Sequence, residues 1–392
     1  MRIVTFTTLY PSRARPHFSV FVENRLRYLV ASGEVEARVV APVPWFPFKA
    51  GRFGLYGAYA RTPRSEVRCG VAVDHPRFPA VPRIGMAVAP VSLALSTLPT
   101  LKRLIRGGYD FDLIDAHYFY PDGVAAVMLG RLLGKPVVVT ARGTDINLFP
   151  GYMIPRHYIR WAARSADGLI TVSAALKDKL QSLEVPADKI RVLRNGVDLD
   201  LFRPRPQDWA RQQIGAPAGL LLLCVGNLVE LKGHDIAIRA VAALDNASLM
   251  IVGTGPEEAR LKALVAQLGI ARRVHFVGGI PHRELPLYYA AADSLILASS
   301  REGMPNVVLE SLATGTPVIA SDIPGMSELI GPPEAGRLMA SRTPEALVEA
   351  VWQLMANPPN RTATRAYAER FGWDATTKGQ LELFREILAS RS

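Results

Sequence analysis

Cysteine is scarce in this sequence of 392 residues, which contains Cys69 and Cys224 alone. Two thiols so far apart supply no Cys-x-x-Cys pair, no zinc-ligand spacing and no disulfide framework. Cys224 lies in the apolar run LLLLCVG, where a buried thiol packs as a small hydrophobic side chain. The first segment, MRIVTFTTLY, lacks the basic and apolar regions of a secretory signal. These features lead us to expect a cytoplasmic protein.

Long hydrophobic runs are also few, and residues 84–101 are the one stretch that is apolar over about the length of a membrane span. Pro90, Pro99 and several Ser and Thr residues interrupt this stretch. We interpret it as a buried helix of a large domain, and contact with a membrane is the alternative.

Positive charge is concentrated in the first half of the chain. The formal net charge is +11; residues 1–206 hold 29 Lys and Arg against 16 Asp and Glu, whereas residues 207–392 hold 17 against 19. This asymmetry favours an anionic partner for the first half, such as a lipid surface, a phosphorylated ligand or nucleic acid. No recognised nucleic-acid module accompanies the charge, so we predict no nucleic-acid partner.

Residues 44–83 interleave aromatic and basic side chains, a combination that suits a membrane–water interface. The alternative interpretation is a long irregular insertion whose rings pack back onto the domain.

Short apolar runs alternate with helical periodicity along the whole chain. The strand candidates of the first half are RIVTFTTL, ARVVAPV, DLIDAHYF, PVVVTARG, GLITVS and IRVLRNG. Those of the second half are LLLLCVGN, ASLMIVGTG, VHFVGG, SLILASS and TPVIASDI. Continuous apolar runs are typical of parallel strands that helices cover on both faces. We therefore predict an α/β protein with two tandem, doubly wound, Rossmann-like domains, residues 1–200 and 207–370. The polar segment 195–208 is the predicted linker, and a ligand cleft is expected between the domains.

The most informative segment is SSREGMPNVVLESLATGTPVIASD. After a strand it gives a polar loop and then Pro305, which suits the first position of a helix. Gly303 lets the backbone approach a ligand closely. The N–H groups of Asn306, Val307 and Val308 would then point off the strand ends. A helix start of this kind favours a pyrophosphate.

Two carboxylates flank this helix start, Glu302 and Glu310, which are eight positions apart. Carboxylates accept hydrogen bonds from paired hydroxyls, so sugar and ribose diols are suitable partners. The alternative interpretation makes Glu302 a solvated loop residue and Glu310 a surface charge of the helix.

Other ligand signatures are weak. The turn Gly253-Thr254-Gly255 lacks the third glycine and the downstream acid of a dinucleotide fingerprint, so NAD is not predicted. No Asp-x-Asp motif of the metal-dependent kind is recognised. The sequence therefore predicts no metal and no cofactor.

Around these residues the sequence resembles the retaining glycosyltransferases of family 4, which have the GT-B fold. Glu302 and Glu310 match the family's paired glutamates, and further matches are VGNLVELKGHDIAI, IVGTGPEEARLKALV, VHFVGGI and YYAAADSLILASS. In the first half, ITVSAALKDKL and IRVLRNGVDLDLF resemble the family's entry to the linker. The tail, residues 371–392, resembles the family's last helix, which packs back on the N-terminal domain.

The resemblance implies a role for each matching residue. Glu310 would hold the hydroxyls of the nucleotide ribose, Glu302 would lie beside the donor sugar, and Lys232 would contact the diphosphate as a catalytic cation. The other donor-site residues that it implies are Asn227, Ile280, Gly303, Met304, Pro305, Asn306, Val307 and Val308. Asn227 stands where many members have an arginine and brings no charge, so stabilisation of the leaving group would rest more heavily on Lys232.

The N-terminal domain would supply the acceptor side. His117 would face the donor sugar as a catalytic residue, with a packed histidine as the alternative interpretation. Arg142 and Asp145, in TARGTDIN, would contact the acceptor or the diphosphate, with a structural salt bridge as the alternative. Ser19 is assigned to the acceptor side as well.

The predicted function is that of a hexosyltransferase (EC 2.4) that moves a sugar, with retention, from a UDP- or GDP-sugar. The acceptor would be a glycan or a polyprenyl-diphosphate-linked sugar in polysaccharide or glycolipid synthesis. The basic N-terminal domain adds an anionic membrane surface as a candidate partner, at the inner face of the membrane. The alternatives are a sugar-nucleotide epimerase on the same fold and a catalytically silent carbohydrate-binding scaffold.

Overall fold

The computed structural model describes residues 1–16, 18–80 and 85–391. They form two compact units, each built on its own sheet. Unit 1 comprises Met1–Asn195 together with Trp373–Ser392, and unit 2 comprises Gly196–Gly372. Both units are Rossmann-like α/β domains, as the alternation of apolar runs and helical periodicity predicted.

Parallel pairing dominates unit 1. Its strands within the described residues are β1 Arg2–Phe6, β2 Glu36–Val40, β3 Val43–Pro44, β4 Ser65–Arg68, β5 Val71–Asp74, β6 Arg77–Phe78, β7 Leu113–His117, β8 Val137–Ala141, β9 Gly168–Thr171 and β10 Ile190–Val192. Eight of them form one sheet in the order β10-β9-β8-β7-β1-β2-β5-β4, and β3 pairs with β6 separately. In the large sheet β4 runs antiparallel to β5, and the other pairs are parallel.

Helices cover the unit 1 sheet because its central strands are apolar on both faces. Every residue of β7 and β8 is buried, including polar ones at their ends. The helices of the first segment are α1 Val20–Ala31, α2 Gly54–Arg61, α3 Gly85–Arg106, α4 Val124–Leu133, α5 Thr144–Asn147, α6 Met153–Ser165 and α7 Ala174–Gln181.

Residues 44–83 are more regular than expected, and their interpretation as a long irregular insertion is wrong. They contain α2 and three short strands; β5 pairs with β2, and β4 pairs with β5, so the segment extends the main sheet by two strands. Strand β4 (SEVR) is mostly polar and β5 (VAVD) has only three apolar residues, so neither shows the long apolar run that is typical of a central parallel strand. The rings pack partly on each other, with the centroid of Phe46 at 5.4 Å from that of Phe53.

The apolar stretch 84–101 forms most of α3, and residues 81–84 lie outside the described residues. Its side chains at Leu93, Ala94 and Leu101 are buried, whereas Leu95 is 63% exposed. Within the described residues, no helix combines the length and the apolar character that crossing a bilayer requires.

Unit 2 has one fully parallel sheet in the order β13-β12-β11-β14-β15-β16. Its strands are β11 Leu220–Val225, β12 Ala247–Val252, β13 Val274–Gly278, β14 Ser294–Leu297, β15 Val318–Ser321 and β16 Gly336–Met339, the last of which the sequence did not predict. Its helices are α8 Gln207–Ile214, α9 His234–Ala243, α10 Glu258–Gln267, α11 Leu285–Ala291, α12 Asn306–Ala313, α13 Pro344–Ala356 and α14 Arg361–Ala368.

Alternate residues of β11 pack on opposite faces of the unit 2 sheet. Leu221 and Leu223 join one core cluster, whereas Leu222 and Cys224 join the other. Helices therefore cover both faces, which is what the continuous run LLLLCV predicts. Burial raises the pKa of the Cys224 thiol to about 12, so this thiol packs as an apolar group.

Three loops of unit 2 approach each other at the carboxyl ends of the strands. A Cβ added to Gly253, whose φ is +145°, would lie 1.9 Å from the carbonyl oxygen of Gly226. A Cβ added to Gly233 would lie 2.2 Å from the carbonyl oxygen of Ala298. Glycine at these positions lets the loops that follow β11, β12 and β14 meet. Ligands bind at this edge of open α/β sheets.

The C-terminal helix, α15 Trp373–Ala389, belongs to unit 1. Its Leu381, Phe384 and Ile387 join the core cluster that also contains Ile3, and the ring of Trp373 stacks on Tyr28 of α1 with centroids 5.3 Å apart. Residues from both ends of the chain therefore build one core.

Candidate active site

The loop from β14 to α12 brings both predicted glutamates to the ligand-binding edge of the unit 2 sheet. Helix α12 begins at Asn306, and Pro305 is its extended N-cap residue rather than its first helical residue. Glu302 lies in the loop before the cap, and Glu310 lies in the second turn of the helix. The N–H group of Val308 donates to the carbonyl of Pro305 at 3.1 Å, so this group is already used within the helix start.

Lys232 and Glu302 form an ion pair in unit 2. The Nζ atom of Lys232 lies 2.6 Å from Oε1 of Glu302, and the two side chains are 21% and 14% exposed. Lys232 ends a short 3-10 turn, Glu230–Lys232, which follows β11. Partial burial weakens screening by salt, so this pair is stronger than an ordinary surface pair. It places a cation and an anion side by side, in front of α12.

Both carboxylate oxygens of Glu310 have partners within unit 2. The ring nitrogen Nε2 of His282 lies 2.8 Å from Oε1, and the hydroxyl of Tyr289 donates to Oε2 at 2.8 Å. Burial, and then the neighbouring Glu310, raises the pKa of Tyr289 well above its usual value, so the hydroxyl remains a donor. Glu310 itself is 8% exposed. It is therefore held in a fixed orientation and is not a solvated surface charge.

Apolar side chains border the same helix start. Ile280, Met304 and Val307 are partly buried and pack against one core cluster of the unit 2 sheet. Asn227 is exposed, and its backbone carbonyl accepts from Nε2 of His234 at 3.2 Å. His234 therefore holds the backbone of Asn227 in place, and nothing in the sequence indicated this contact.

His117, at the end of β7, is buried in unit 1 with both ring nitrogens engaged. Its Nε2 lies 3.1 Å from Oδ2 of Asp115, and the guanidinium of Arg142 donates to its Nδ1 at 2.7 Å. Because Nδ1 accepts, Nε2 carries the proton and the imidazole is neutral. Burial lowers the pKa of His117 to about 4, although the Asp115 carboxylate opposes this effect. The ring therefore does not change charge near neutral pH.

Arg142, directly after β8, is the cation of this group. Its guanidinium contacts His117 and donates to Oδ1 of Asn195 at 2.9 Å, and it lies over the ring of Phe21, 5.4 Å from the centroid. Burial, and then the charge of Arg25, lowers the pKa of Arg142 to about 9. Phe21 belongs to the first turn of α1, whose N-cap residue is Ser19, so Arg142 contacts the start of this helix.

Asp145 holds backbone in place. It is fully buried, and its carboxylate accepts from the N–H groups of Phe119, Arg142 and Gly143 at 2.6 to 3.0 Å. The side chain thus fastens the loop after β8 to the loop after β7. Burial raises the pKa of Asp145, and these backbone donors oppose the rise. No ion pair joins its carboxylate to the Arg142 guanidinium in the part of the chain that the structure describes.

Asp122 performs a similar task for the loop after β1. Its carboxylate accepts from the hydroxyl of Thr7 at 3.2 Å and from both the N–H group and the hydroxyl of Thr8. Burial raises the pKa of Asp122 from 3.8 to about 7, even though these donors favour the charged form. The loops after β1, β7 and β8 are therefore fixed by buried carboxylates at the carboxyl end of the sheet.

Comparison with known proteins agrees with this architecture. The family model for glycosyl transferases group 1 matches residues 207–371, and the model for glycosyltransferase family 4 matches residues 19–201. A Bacillus subtilis protein named as a glycosyltransferase of teichuronic acid biosynthesis, TuaC, is 32% identical over 90% of this chain and 88% of its own length. D-inositol 3-phosphate glycosyltransferase of Acidothermus cellulolyticus is 34% identical over 77% of this chain and 73% of its own.

The chain belongs to glycosyltransferase family 4. It is a hexosyltransferase-type enzyme of class EC 2.4. The crystal structure of Anabaena HepE in complex with UDP-glucose is similar in fold, with a TM-score of 0.73 and 20% identity over 99% of both chains. The fold of this family 4 enzyme is GT-B, with two Rossmann-like domains.

Several partners of the predicted residues were missed because they come from distant parts of the sequence. His282 and Tyr289 precede Glu310 by 28 and 21 positions. In unit 1, Gln380 of α15 donates to Asp115 at 3.0 Å across 265 positions, and it accepts from Nε of Arg25. Spacing along the sequence carries no signal for such contacts in this family 4 enzyme.

The raised pKa of Asp122 predicts a specific dependence of stability on pH. Between about pH 4 and pH 7 the folded chain binds more protons at this carboxyl than the unfolded chain does, because the unfolded carboxyl keeps its ordinary pKa of 3.8. The contribution of Asp122 to the free energy of unfolding therefore falls as pH rises through this range. Asp122→Asn should remove this falling contribution and make the slope of the melting temperature against pH more positive between pH 4 and 7, as followed by circular dichroism.

Asp188→Asn is the matched control, because Asp188 is exposed. For this variant the slope of the melting temperature against pH should equal that of the parent chain. An equal slope in the Asp122→Asn variant and the parent would contradict the buried, proton-binding carboxyl.

Proposed function

We propose that this glycosyltransferase transfers a sugar from a UDP- or GDP-sugar, with retention at the anomeric carbon, to a glycan or a polyprenyl-diphosphate-linked acceptor. The observation that carries the proposal is the pairing of Lys232 with Glu302 in front of α12, within the unit that also holds Glu310. UDP-glucose in the similar HepE structure supports a nucleotide-sugar donor. The inositol phosphate and teichuronic acid relatives support an acceptor of glycolipid or polysaccharide synthesis.

Lys232 stabilises the leaving group in this proposal. Cleavage of the glycosidic bond leaves negative charge on a nucleoside diphosphate, and a positioned cation lowers the free energy of that transition state. Glu302, 2.6 Å from the Lys232 ammonium, keeps this cation in place until the diphosphate takes over the contact. The Glu302 carboxylate is then next to the donor sugar, where positive charge develops at the anomeric carbon. The enzyme needs no metal for this step, because the ammonium supplies the positive charge.

Glu310 binds the ribose of the donor. A carboxylate offers about four acceptor sites, and His282 and Tyr289 use one on each oxygen. The remaining sites accept two adjacent hydroxyls of a ribose ring. His282 and Tyr289 fix the carboxylate beforehand, which reduces the entropy lost when the nucleotide binds.

Unit 1 supplies Arg142 to the reaction, and His117 acts through Arg142. The His117 ring is 1% exposed and both its nitrogens are engaged, so it orients the guanidinium instead of exchanging protons with a substrate. Arg142 offers a planar cation that suits an anionic or hydroxyl-rich acceptor, and Ser19 lies at the start of the neighbouring α1.

Transfer is tested by incubating the purified chain with a panel of UDP- and GDP-sugars and with lipid-linked or glycan acceptors. We expect one donor to give a glycosylated product, and nuclear magnetic resonance of that product should show the anomeric configuration of the donor. An altered sugar nucleotide formed without acceptor would indicate an epimerase. Absence of both products, together with carbohydrate binding, would indicate a scaffold protein.

Lys232→Ala should lower the turnover number at least about tenfold, since a positioned electrostatic donor commonly contributes that much. Lys262→Ala is the control, because Lys262 is 55% exposed and pairs with Glu258 within α10. The control should leave turnover unchanged. Steady-state kinetics and donor binding by calorimetry measure both variants. Unchanged donor affinity and turnover in Lys232→Ala would remove this residue from the site.

We also propose that unit 1 binds an anionic membrane surface through an exposed apolar surface made of Trp45, Phe48, Leu55 and Tyr56. These side chains are 53% to 60% exposed and come from a single segment. Arg52 lies in the same segment, 5.1 Å from the ring centroid of Phe53. Exposed rings next to cationic side chains suit the boundary between headgroups and acyl chains.

Flotation with phosphatidylglycerol vesicles tests this surface. The double variant Phe48→Ala with Leu55→Ala should lower vesicle binding at least about tenfold, because each side chain buries apolar area in the lipid. Leu132→Ala, a change at a leucine of unit 1 that is 61% exposed and lies outside the segment, should bind like the parent chain. Failure of the parent chain to bind at low salt would disprove the proposal.

A further inference from the structure

A pocket lies in unit 1 at the carboxyl end of β5, near the β4–β5 edge of the sheet. It encloses about 340 Å³, and its lining includes Trp45, Arg64, Arg77 and Arg103. Arg77 follows β5 closely along the chain, and Arg103 lies on α3. We propose that this pocket binds a phosphate or diphosphate group carried by the acceptor. The inference rests on the proposed transfer reaction for its biological meaning, and the binding site itself is testable without that reaction.

The lining has an excess of positive charge. Arg103 donates to Oδ1 of Asp74 at 3.0 Å, which neutralises one of the three arginines. The nearby His75 is buried and uses both ring nitrogens, one towards the carbonyl of Ala41 and one towards Glu66 at 2.9 Å. Arg64 and Arg77 are left without a carboxylate partner within the described residues, so the pocket carries two uncompensated charges.

Arg77 shows that these two charges act on each other. Burial, and then the charge of Arg64, lowers the pKa of Arg77. One of its terminal nitrogens donates to the carbonyl of Thr62. The other, Nη1, is buried and has no hydrogen-bond partner among the residues that the structure describes. An anion between the two guanidinium groups would relieve their repulsion and accept a hydrogen bond that is otherwise unmade.

The remaining lining suits a phosphorylated sugar. Ser65, Ser96 and Thr100 add hydroxyl donors of the kind that phosphate oxygens accept. Trp45 is 60% exposed, so its indole offers a flat apolar face beside the arginines. An arginine guanidinium can donate two parallel hydrogen bonds to phosphate oxygens. The pocket therefore favours a phosphorylated ligand over an uncharged sugar.

The position of the pocket points to an extended acceptor. Strands β2 and β1 lie between β5 and β7, so three strand spacings of about 4.8 Å give a separation of about 14 Å from the strand end that carries His117. A phosphate bound here therefore lies well away from the His117 and Arg142 group. The chemistry fits an acceptor whose phosphate or diphosphate is separated from the reacting hydroxyl by further sugar.

Calorimetric titration with inorganic pyrophosphate tests the site, in the presence of saturating UDP or GDP, whichever the chain binds, so that the proposed donor site is covered. We expect one pyrophosphate to bind per chain. Arg64→Gln should weaken binding about tenfold, the effect of losing one charge-assisted hydrogen bond. Arg106→Gln changes the net charge equally and is the control, because Arg106 is exposed and does not line the pocket; it should weaken binding less than twofold.

Three outcomes would overturn the inference. The first is that no pyrophosphate binds when nucleotide covers the donor site. The second is that Arg64→Gln and Arg106→Gln lose the same pyrophosphate affinity, and the third is that Arg64→Gln leaves this affinity unchanged. Flotation with phosphatidylglycerol vesicles separates an acceptor phosphate from a lipid headgroup: binding equal to the parent chain is expected for Arg64→Gln, and its loss would assign the pocket to headgroups. Absence of binding of both UDP and GDP would contradict the proposed donor site, and the comparison of Arg64→Gln with Arg106→Gln would still test the pocket.

Discussion

The ion pair between Lys232 and Glu302 is the interaction on which the candidate active site depends. A half-buried ammonium without a partner is costly, and so is a half-buried carboxylate. The ion pair offsets both desolvation costs and holds a cation at the place where the diphosphate is expected to bind. The close passage of the loops at Gly233 and Gly253 makes the pairing feasible, because side chains there would hold the loops apart. The ion pair therefore depends on the close packing of these backbone loops.

Unit 1 also contains buried charges that are held by opposite charges, in a larger network of side chains. Arg25 of α1, Asp115 of β7 and Arg142 after β8 are charged and nearly inaccessible to water, and neutral His117 lies between the last two. A neutral imidazole that donates to a carboxylate and accepts from a guanidinium links opposite charges without adding one. Such a network is sensitive to the loss of any member, because the remaining groups would be buried without partners. Its rigidity suits a surface that must present one guanidinium in a fixed orientation.

The fold was largely predictable because most strands are continuous apolar runs. The runs from RIVTFTTL to TPVIASDI all became strands. Strands β3, β4, β5, β6 and β16 were missed, because they are short or carry polar residues. Among the site residues, Glu302, Glu310 and Lys232 stand out through local motifs. Their partners do not, because His282 reaches Glu310 through tertiary packing, and Gln380 reaches Asp115 from the opposite end of the chain. Local patterns report elements and helix starts, whereas contacts between distant elements require coordinates.

The return of α15 to unit 1 has a consequence for synthesis of the chain. Gly168 of β9 faces Leu383 and Ile387 of α15, which are translated after the whole of unit 2. The 177 residues from Gly196 to Gly372 are made in between, an interval of roughly 10 to 35 s at common elongation rates. During that time the N-terminal sheet lacks one of its covering helices, while unit 2 is contiguous in sequence and folds as it emerges. The nascent polypeptide therefore exposes the apolar residues that Leu383 and Ile387 later cover, and this part of the unit 1 core closes only after α15 has been made.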